Sequence, residues 1–281
     1  MKRHGAVLAL HAAVLLFGFA GLFGKWLDLP PVIIVLGRTI VAAAALAALR
    51  ALRGEARPRF DRRLVAAGVV LALHWVSFFA AIQVASVAIG LLGFASFPLF
   101  VLVLERVLLG RRWRGAEAAT AGLVLAGLLL LVPDFSWANR DVQGLAWGLL
   151  SGLTFALLAV LNRRFAADRP ATDIAFWQNA LAALVLLPVA VAAGPVPELG
   201  AREIGLLLVL GVLCTAVAHS LFITALRTVT AHTASVIAAL EPVYGIALAL
   251  VLLGEMPGPR TLAGGALIVG AAVFATRRAG R

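Results

Sequence analysis

Two charged side chains stand inside apolar stretches where charge is costly: Glu241, immediately before Pro242, and Arg38. A carboxyl or guanidinium at the centre of a bilayer costs about 2.5–3.5 kcal/mol on insertion scales, so each must face a partner, water or a solute. Three roles fit Glu241: proton carrier, anchor for a solute ammonium group, or structural partner to Arg38 and to backbone freed near the proline. Arg38 cannot deprotonate. Its fork suits a bidentate grip on a solute carboxylate, and equally a fixed strut to Glu241 or a side chain reaching for the interface. Gln178 and Asn179 add neutral donors and acceptors at the matching depth of another segment.

Helical spacing sorts the remaining polar and aromatic residues onto faces. His74 aligns with Phe78, Trp75 with Phe79, Ser151 with Phe155, and Thr215 with His219, while Tyr244 lies one turn beyond Glu241. Ser96 stands beside Pro98, where its hydroxyl can satisfy a freed carbonyl or meet a solute. For each of these, interhelical packing is the plain reading and contact with a solute the sharper one.

The elements that must position these groups are long and apolar. Of 281 residues 63% are apolar and 13% charged, against roughly 25% charged in soluble domains. Uncharged runs recur along the whole chain, including 142–162, 174–197, 204–226 and the double-length 64–104. About 20 apolar residues span a bilayer core about 30 Å thick, so 64–104 must be two helices and a turn. Ten transmembrane helices are expected at 6–24, 32–49, 64–82, 86–104, 117–132, 142–161, 173–193, 204–225, 233–253 and 261–276. A soluble helical protein would need polar helix faces, which these runs lack.

A net charge of +11 suggests a nucleic-acid surface until the basic residues are placed. With the N-terminus in the cytoplasm, 19 of the 24 Lys and Arg fall in inner loops and 4 in outer loops, leaving Arg38 in the membrane. That is the positive-inside pattern, so the charge reports orientation and no nucleic-acid partner is expected. Both termini then lie in the cytoplasm, with an uncleaved first span. Many Arg and only two Lys, Lys2 and Lys25, suggest a GC-rich bacterium and hence its cytoplasmic (inner) membrane.

Catalytic and metal chemistry find little support. Cys214 is the lone cysteine, which excludes an intrachain disulfide, and the five histidines lie on separate segments without ligand spacing. No nucleophile elbow, phosphate-cradling loop or dinucleotide glycine pattern appears, so neither an enzyme nor a cofactor is expected.

An internal repeat organises the chain. Shifted by 144, Ala81-Ile82 falls on Ala225-Leu226, Pro98 on Pro242, and Leu109-Gly110 on Leu253-Gly254; shifted by 138, Phe17 falls on Phe155 and Lys25 on Arg163. Two five-helix halves, 5–132 and 142–276, follow. Because five is odd, the second enters the membrane from the opposite side, an arrangement recurrent in transporters that rock about a midplane site. Pro98 and Pro242 lie mid-helix at equivalent positions, so helices 4 and 9 should kink or break there. The small-residue runs Gly18-x-x-Gly21-x-x-Gly24 and Gly148-x-x-x-Gly152 predict close helix approach.

Leu240-Glu241-Pro242-Val243, then Leu253-Gly254-Glu255 and Gly264-Gly265, together with Phe17-Gly18, Lys25 and Arg38, resemble the EamA branch of the drug/metabolite transporter superfamily. The first half departs from the second: Phe97 stands where the repeat has Glu241, and Arg111 where it has Glu255. The resemblance implies an all-α, ten-helix basket whose central cavity is lined mainly by helices 3, 4, 8 and 9. It also implies secondary transport of small polar metabolites, most simply export of an amino acid, with proton coupling as one possibility for Glu241. Uptake or exchange of a nucleoside- or cofactor-like solute is the rival, and a non-transporting membrane protein the alternative class.

Overall fold

Prolines and glycines punctuate the chain into helices. In the computed structural model the described residues are 3–55, 58–109, 115–131, 136–195, 197–229, 234, 237–238 and 240–279. Helix α1 covers Arg3–Trp26; α2, Pro31–Leu52, opens with proline at its first position, where a missing N–H costs nothing. After α2, Gly54 adopts φ 62°, the left-handed conformation that glycine accepts readily. Next come α3 (Arg63–Val84), α4 (Val87–Phe94), α5 (Phe97–Leu109), α6 (Gly115–Leu131), α7 (Arg140–Asp168) and α8 (Ala171–Ala192). The last part holds α9 (Ala201–Gly211), a π-helical turn (Val212–Val217), α10 (Ala218–Ala225), α11 (Glu241–Leu253) and α12 (Pro259–Ala279). No strand occurs among the described residues.

Ten membrane crossings result, with α4–α5 forming the fourth, α9–α10 the eighth and α11 the second part of the ninth. Seven are long and apolar enough to span by length and composition, and Ala119–Leu131 and Glu241–Leu253 are shorter apolar helices. Crossing 4, at 86–104, breaks as expected near Pro98, which has no N–H to continue the ladder: it is two helices joined at Ala95–Ser96. Two details differ from the sequence reading. Crossing 6 runs to Asp168 rather than 161, carrying its last two turns beyond the apolar run. Crossing 8 is interrupted by the π turn, which no proline or glycine pair announces. Residue 132 of crossing 5 and residues 233, 235, 236 and 239 of crossing 9 lie outside the described residues, as do His232, Gly110 and Arg111.

The packing interleaves the two parts of the chain. Helix α1 lies against α10 and α11, while α7 lies against α3 and α4; α2 and α8 pack together, as do α6 and α12. Exchanging each crossing with the fifth after it maps these pairings onto one another, as an approximate two-fold relation requires. Glycines set the closest approaches. A Cβ on Gly18 would sit 2.9 Å from the Gly245 nitrogen and 3.1 Å from the Glu241 carbonyl. On the other side, a Cβ on Gly148 would sit 3.0 Å from Gly93 Cα, and one on Gly152 2.8 Å from Ser96 Oγ. Thus α1 clamps the start of α11, and α7 clamps the α4–α5 break.

The two ends of the bundle differ. At one end three charged side chains converge on the α3–α4 turn: Lys25 donates to the Ala85 carbonyl (3.0 Å), Arg140 to the Val84 carbonyl (2.7 Å), and Glu255 accepts from the Val87 N–H (2.9 Å). Gln83 adds a bond to the Leu29 carbonyl. At the other end α2, α3, α7 and α8 splay around a vestibule of about 900 Å3 lined by Arg50, Arg59, Arg63, Arg164, Arg169 and acidic partners. There Arg50 pairs with Asp173 and Glu55, tying α2 to α8. The Asp61 carboxyl is held down at about 2, first by the Arg63 side chain, then by the Arg63 backbone N–H and the charges of Arg63 and Arg169.

Candidate functional site

At mid-depth the helices enclose a small cavity. Its wall comprises Arg38 from α2; Leu71, His74, Trp75 and Phe78 from α3; Phe94 from α4; Phe155, Leu158 and Asn162 from α7; His219 and Phe222 from α10; Glu241 from α11; and Phe17 and Ala20 from α1. The volume is about 30 Å3, room for about two water molecules. The vestibule and the cavity share α7, with Leu161, Arg164 and Phe165 lining the first and Leu158 and Asn162 the second.

Glu241 is 3% exposed, yet its carboxyl makes no hydrogen bond or ion pair among the described residues. It opens α11, so Pro242 occupies the first turn where a proline nitrogen is tolerated, and the chain leaves the helical ladder beside the carboxyl. Arg38 is 1% exposed and is held differently. Nε donates to Thr215 Oγ1 at 3.0 Å and Nη2 to the Cys214 carbonyl at 3.3 Å, while Cζ stacks 4.0 Å over the Trp75 ring. A desolvated cation–π contact of this kind contributes about 2 kcal/mol. Arg38 and Glu241 face one cavity without forming an ion pair, so the strut considered from sequence is not the arrangement in this state.

The other sequence candidates divide. His74, Trp75 and His219 line the cavity. His74 Nδ1 lies 3.0 Å from both the carbonyl and the hydroxyl oxygen of Ser151, so Ser151 stands behind the histidine rather than in the wall. The His219 ring meets Trp75 edge-on, and its buried Nδ1 has no hydrogen-bond partner among the described residues. Gln178 also stands one layer back, donating at 2.6 Å to Asn162 Oδ1. Ser96 closes the helix break, its hydroxyl donating to the Gly93 carbonyl at 2.7 Å. Tyr244 packs beside Gly18 on α1, away from the cavity.

Several lining residues carried no sequence signal of function. Asn162 is one polar residue at the end of an apolar run, and Phe94 and Phe222 read as core. Phe17 and Phe155, noted above as repeat equivalents, both reach the cavity, where Phe222 packs against each at 5.9 and 5.5 Å. Among the described residues no group of His, Cys, Asp or Glu could hold a metal ion.

The arrangement offers a carboxyl, a guanidinium with unused donors, two imidazoles, and aromatic walls. The lining thus sets charged and polar groups against aromatic walls around a space that, in this state, admits about two water molecules. Comparisons with known proteins place this chain among transporters. The EamA-like transporter family model matches residues 4–132 and 142–277. An uncharacterized transporter of Archaeoglobus fulgidus is 31% identical over 226 residues, 80% of each chain. The pseudopaline exporter of Pseudomonas aeruginosa is 30% identical over 76% of this chain and 74% of its own. The S-adenosylmethionine uptake transporter of Rickettsia prowazekii is 26% identical over 74% and 69%. A crystal structure with 24% identity superposes with a TM-score of 0.76 over 100% of this chain and 99% of that one, showing the same fold. This multi-pass membrane protein therefore belongs to the EamA-like transporter family.

Proposed function

We propose that the chain exports a small zwitterionic metabolite, an amino acid, across the bacterial cytoplasmic membrane by alternating access. One observation carries this reading: Glu241 is buried in the same cavity as Arg38, and its carboxyl has no hydrogen-bond or ion-pair partner among the described residues. A solute with an ammonium and a carboxylate satisfies both poles at once, and the surrounding Phe and Trp rings suit an apolar side chain. Named relatives include both an exporter and an uptake transporter, so direction rests on this chain's own features. In the positive-inside orientation the arginine-lined vestibule opens to the cytoplasm, where an export cargo enters. The Lys25 end is then the closed outer gate, and the two five-helix halves, 5–132 and 142–276, exchange roles as the gates alternate.

Counterflow into proteoliposomes tests the reading: a labelled amino acid should accumulate against an internal pool of the same compound. Turnover of a substrate without its transfer would support an enzyme, and exchange of a nucleoside but no amino acid would favour the rival cargo. The gate has its own expectation. Glu255→Gln removes the charge from the bond to the Val87 N–H, roughly halving its strength. A cysteine placed at Leu71 in a Cys214→Ser background should then react faster with an impermeant thiol reagent applied from the Lys25 side. An unchanged rate would mean that the three-residue latch does not hold this end.

A further inference from the structure

A guanidinium offers two donor edges that can each grip a planar anion, a side edge of Nε and Nη2 and an end edge of Nη1 and Nη2. The side edge of Arg38 is taken by crossing 8, where Thr215 Oγ1 accepts from Nε at 3.0 Å and the Cys214 carbonyl from Nη2 at 3.3 Å. Trp75 covers one face at 4.0 Å. No other hydrogen bond reaches Arg38 among the described residues, so the donors of the end edge remain available at a cavity that also holds Glu241.

Both acceptors belong to the π turn, Val212–Val217. Such turns are rare and cluster at functional sites. Thr215 is fully buried, and its hydroxyl hydrogen is committed to the Leu210 carbonyl five residues back at 2.7 Å, which leaves the oxygen lone pairs for Arg38. The backbones are wedged together at the same level: a Cβ on Gly211 would lie 2.5 Å from Val41 and 3.0 Å from the Arg38 carbonyl. Main chain and side chain of Arg38 are thus fixed by one segment of crossing 8.

We propose that Thr215 is a positioning residue for solute recognition. With the Cys214 carbonyl it holds the side edge of Arg38 so that the end edge faces the solute carboxylate, while Glu241 receives the ammonium. This rests on the reading of the cavity given above. It also gives carboxylate binding a direct hydrogen-bonded link to crossing 8.

The test uses equilibrium binding to the purified full-length protein, measured by titration calorimetry with L-phenylalanine and with phenethylamine, the same body without a carboxylate. Thr215→Val keeps the shape and removes the acceptor; it should weaken L-phenylalanine by about tenfold, with phenethylamine unchanged. Thr215→Ser restores the hydroxyl and should bind L-phenylalanine within about twofold of the unaltered protein. Equal weakening of both ligands by Thr215→Val would show a merely structural role and overturn the proposal. So would unchanged L-phenylalanine binding in Thr215→Val where Arg38→Lys weakens it. If Arg38→Lys leaves L-phenylalanine binding unchanged, or the unaltered protein does not bind it, the amino-acid reading of the cavity falls first and this proposal with it.

Discussion

Glu241→Gln should abolish amino-acid counterflow while the protein still folds. Glutamine keeps the size of the side chain but cannot complete a charge-assisted bond to an ammonium group. Hydrogen bonds to charged groups contribute about 1.5–3 kcal/mol, so apparent solute affinity should fall by about 10- to 150-fold. Folding is spared because the carboxyl makes no hydrogen bond or ion pair among the described residues, so the near-isosteric amide breaks no contact there. Counterflow together with the thermal midpoint checks this. Unchanged flux and unchanged pH dependence would remove Glu241 from both solute binding and proton coupling.

Gly18→Leu should damage both stability and transport. A Cβ there meets the Gly245 nitrogen at 2.9 Å, the Glu241 carbonyl at 3.1 Å and Tyr244 Cβ at 3.2 Å, so α1 and α11 must separate. Overpacking costs about 1–3 kcal/mol, and the displaced element carries Glu241 at its first position. Gly21→Ala is the control on the same helix. Its nearest neighbour would be Ile82 at 3.5 Å, an ordinary contact, and it should leave both the thermal midpoint and flux near their starting values. Equal tolerance of the two substitutions would mean that the α1–α11 contact does not place the carboxyl.

Much of the architecture was legible because hydrocarbon imposes a coarse rule. Each apolar run of sufficient length becomes a crossing, and only the 64–104 run needed dividing. Pro98 and Pro242 marked the interruptions since a missing backbone donor is a property of the residue itself. The π turn at Val212–Val217 was not legible: its sequence, Val-Leu-Cys-Thr-Ala-Val, carries no breaker, and its widened ring accompanies the Arg38–Thr215 bond, a contact between residues 177 positions apart. Within the site, Arg38, His74, Trp75, His219 and Glu241 could be picked out as polar or amphipathic groups in apolar surroundings. Periodicity could not tell which faces converge, so Ser151 and Gln178, one layer behind the wall, looked the same as residues in it. Asn162 was overlooked at the end of a run. Lys25 at the end of α1, Arg140 at the start of α7 and Glu255 after α11 meet through backbone atoms of the α3–α4 turn, which leaves no trace in side-chain spacing.

Solute protection of a cavity cysteine is the most direct test that the space between Arg38 and Glu241 is where cargo binds. Leu71→Cys in the Cys214→Ser background places a thiol in the cavity wall, at a position 2% exposed in this state. Slow alkylation by an impermeant reagent from the vestibule side, suppressed by saturating L-phenylalanine and restored when Glu241→Gln is added, is the expected result. Alkylation that proceeds at the same rate with and without the amino acid would contradict a solute site in this cavity.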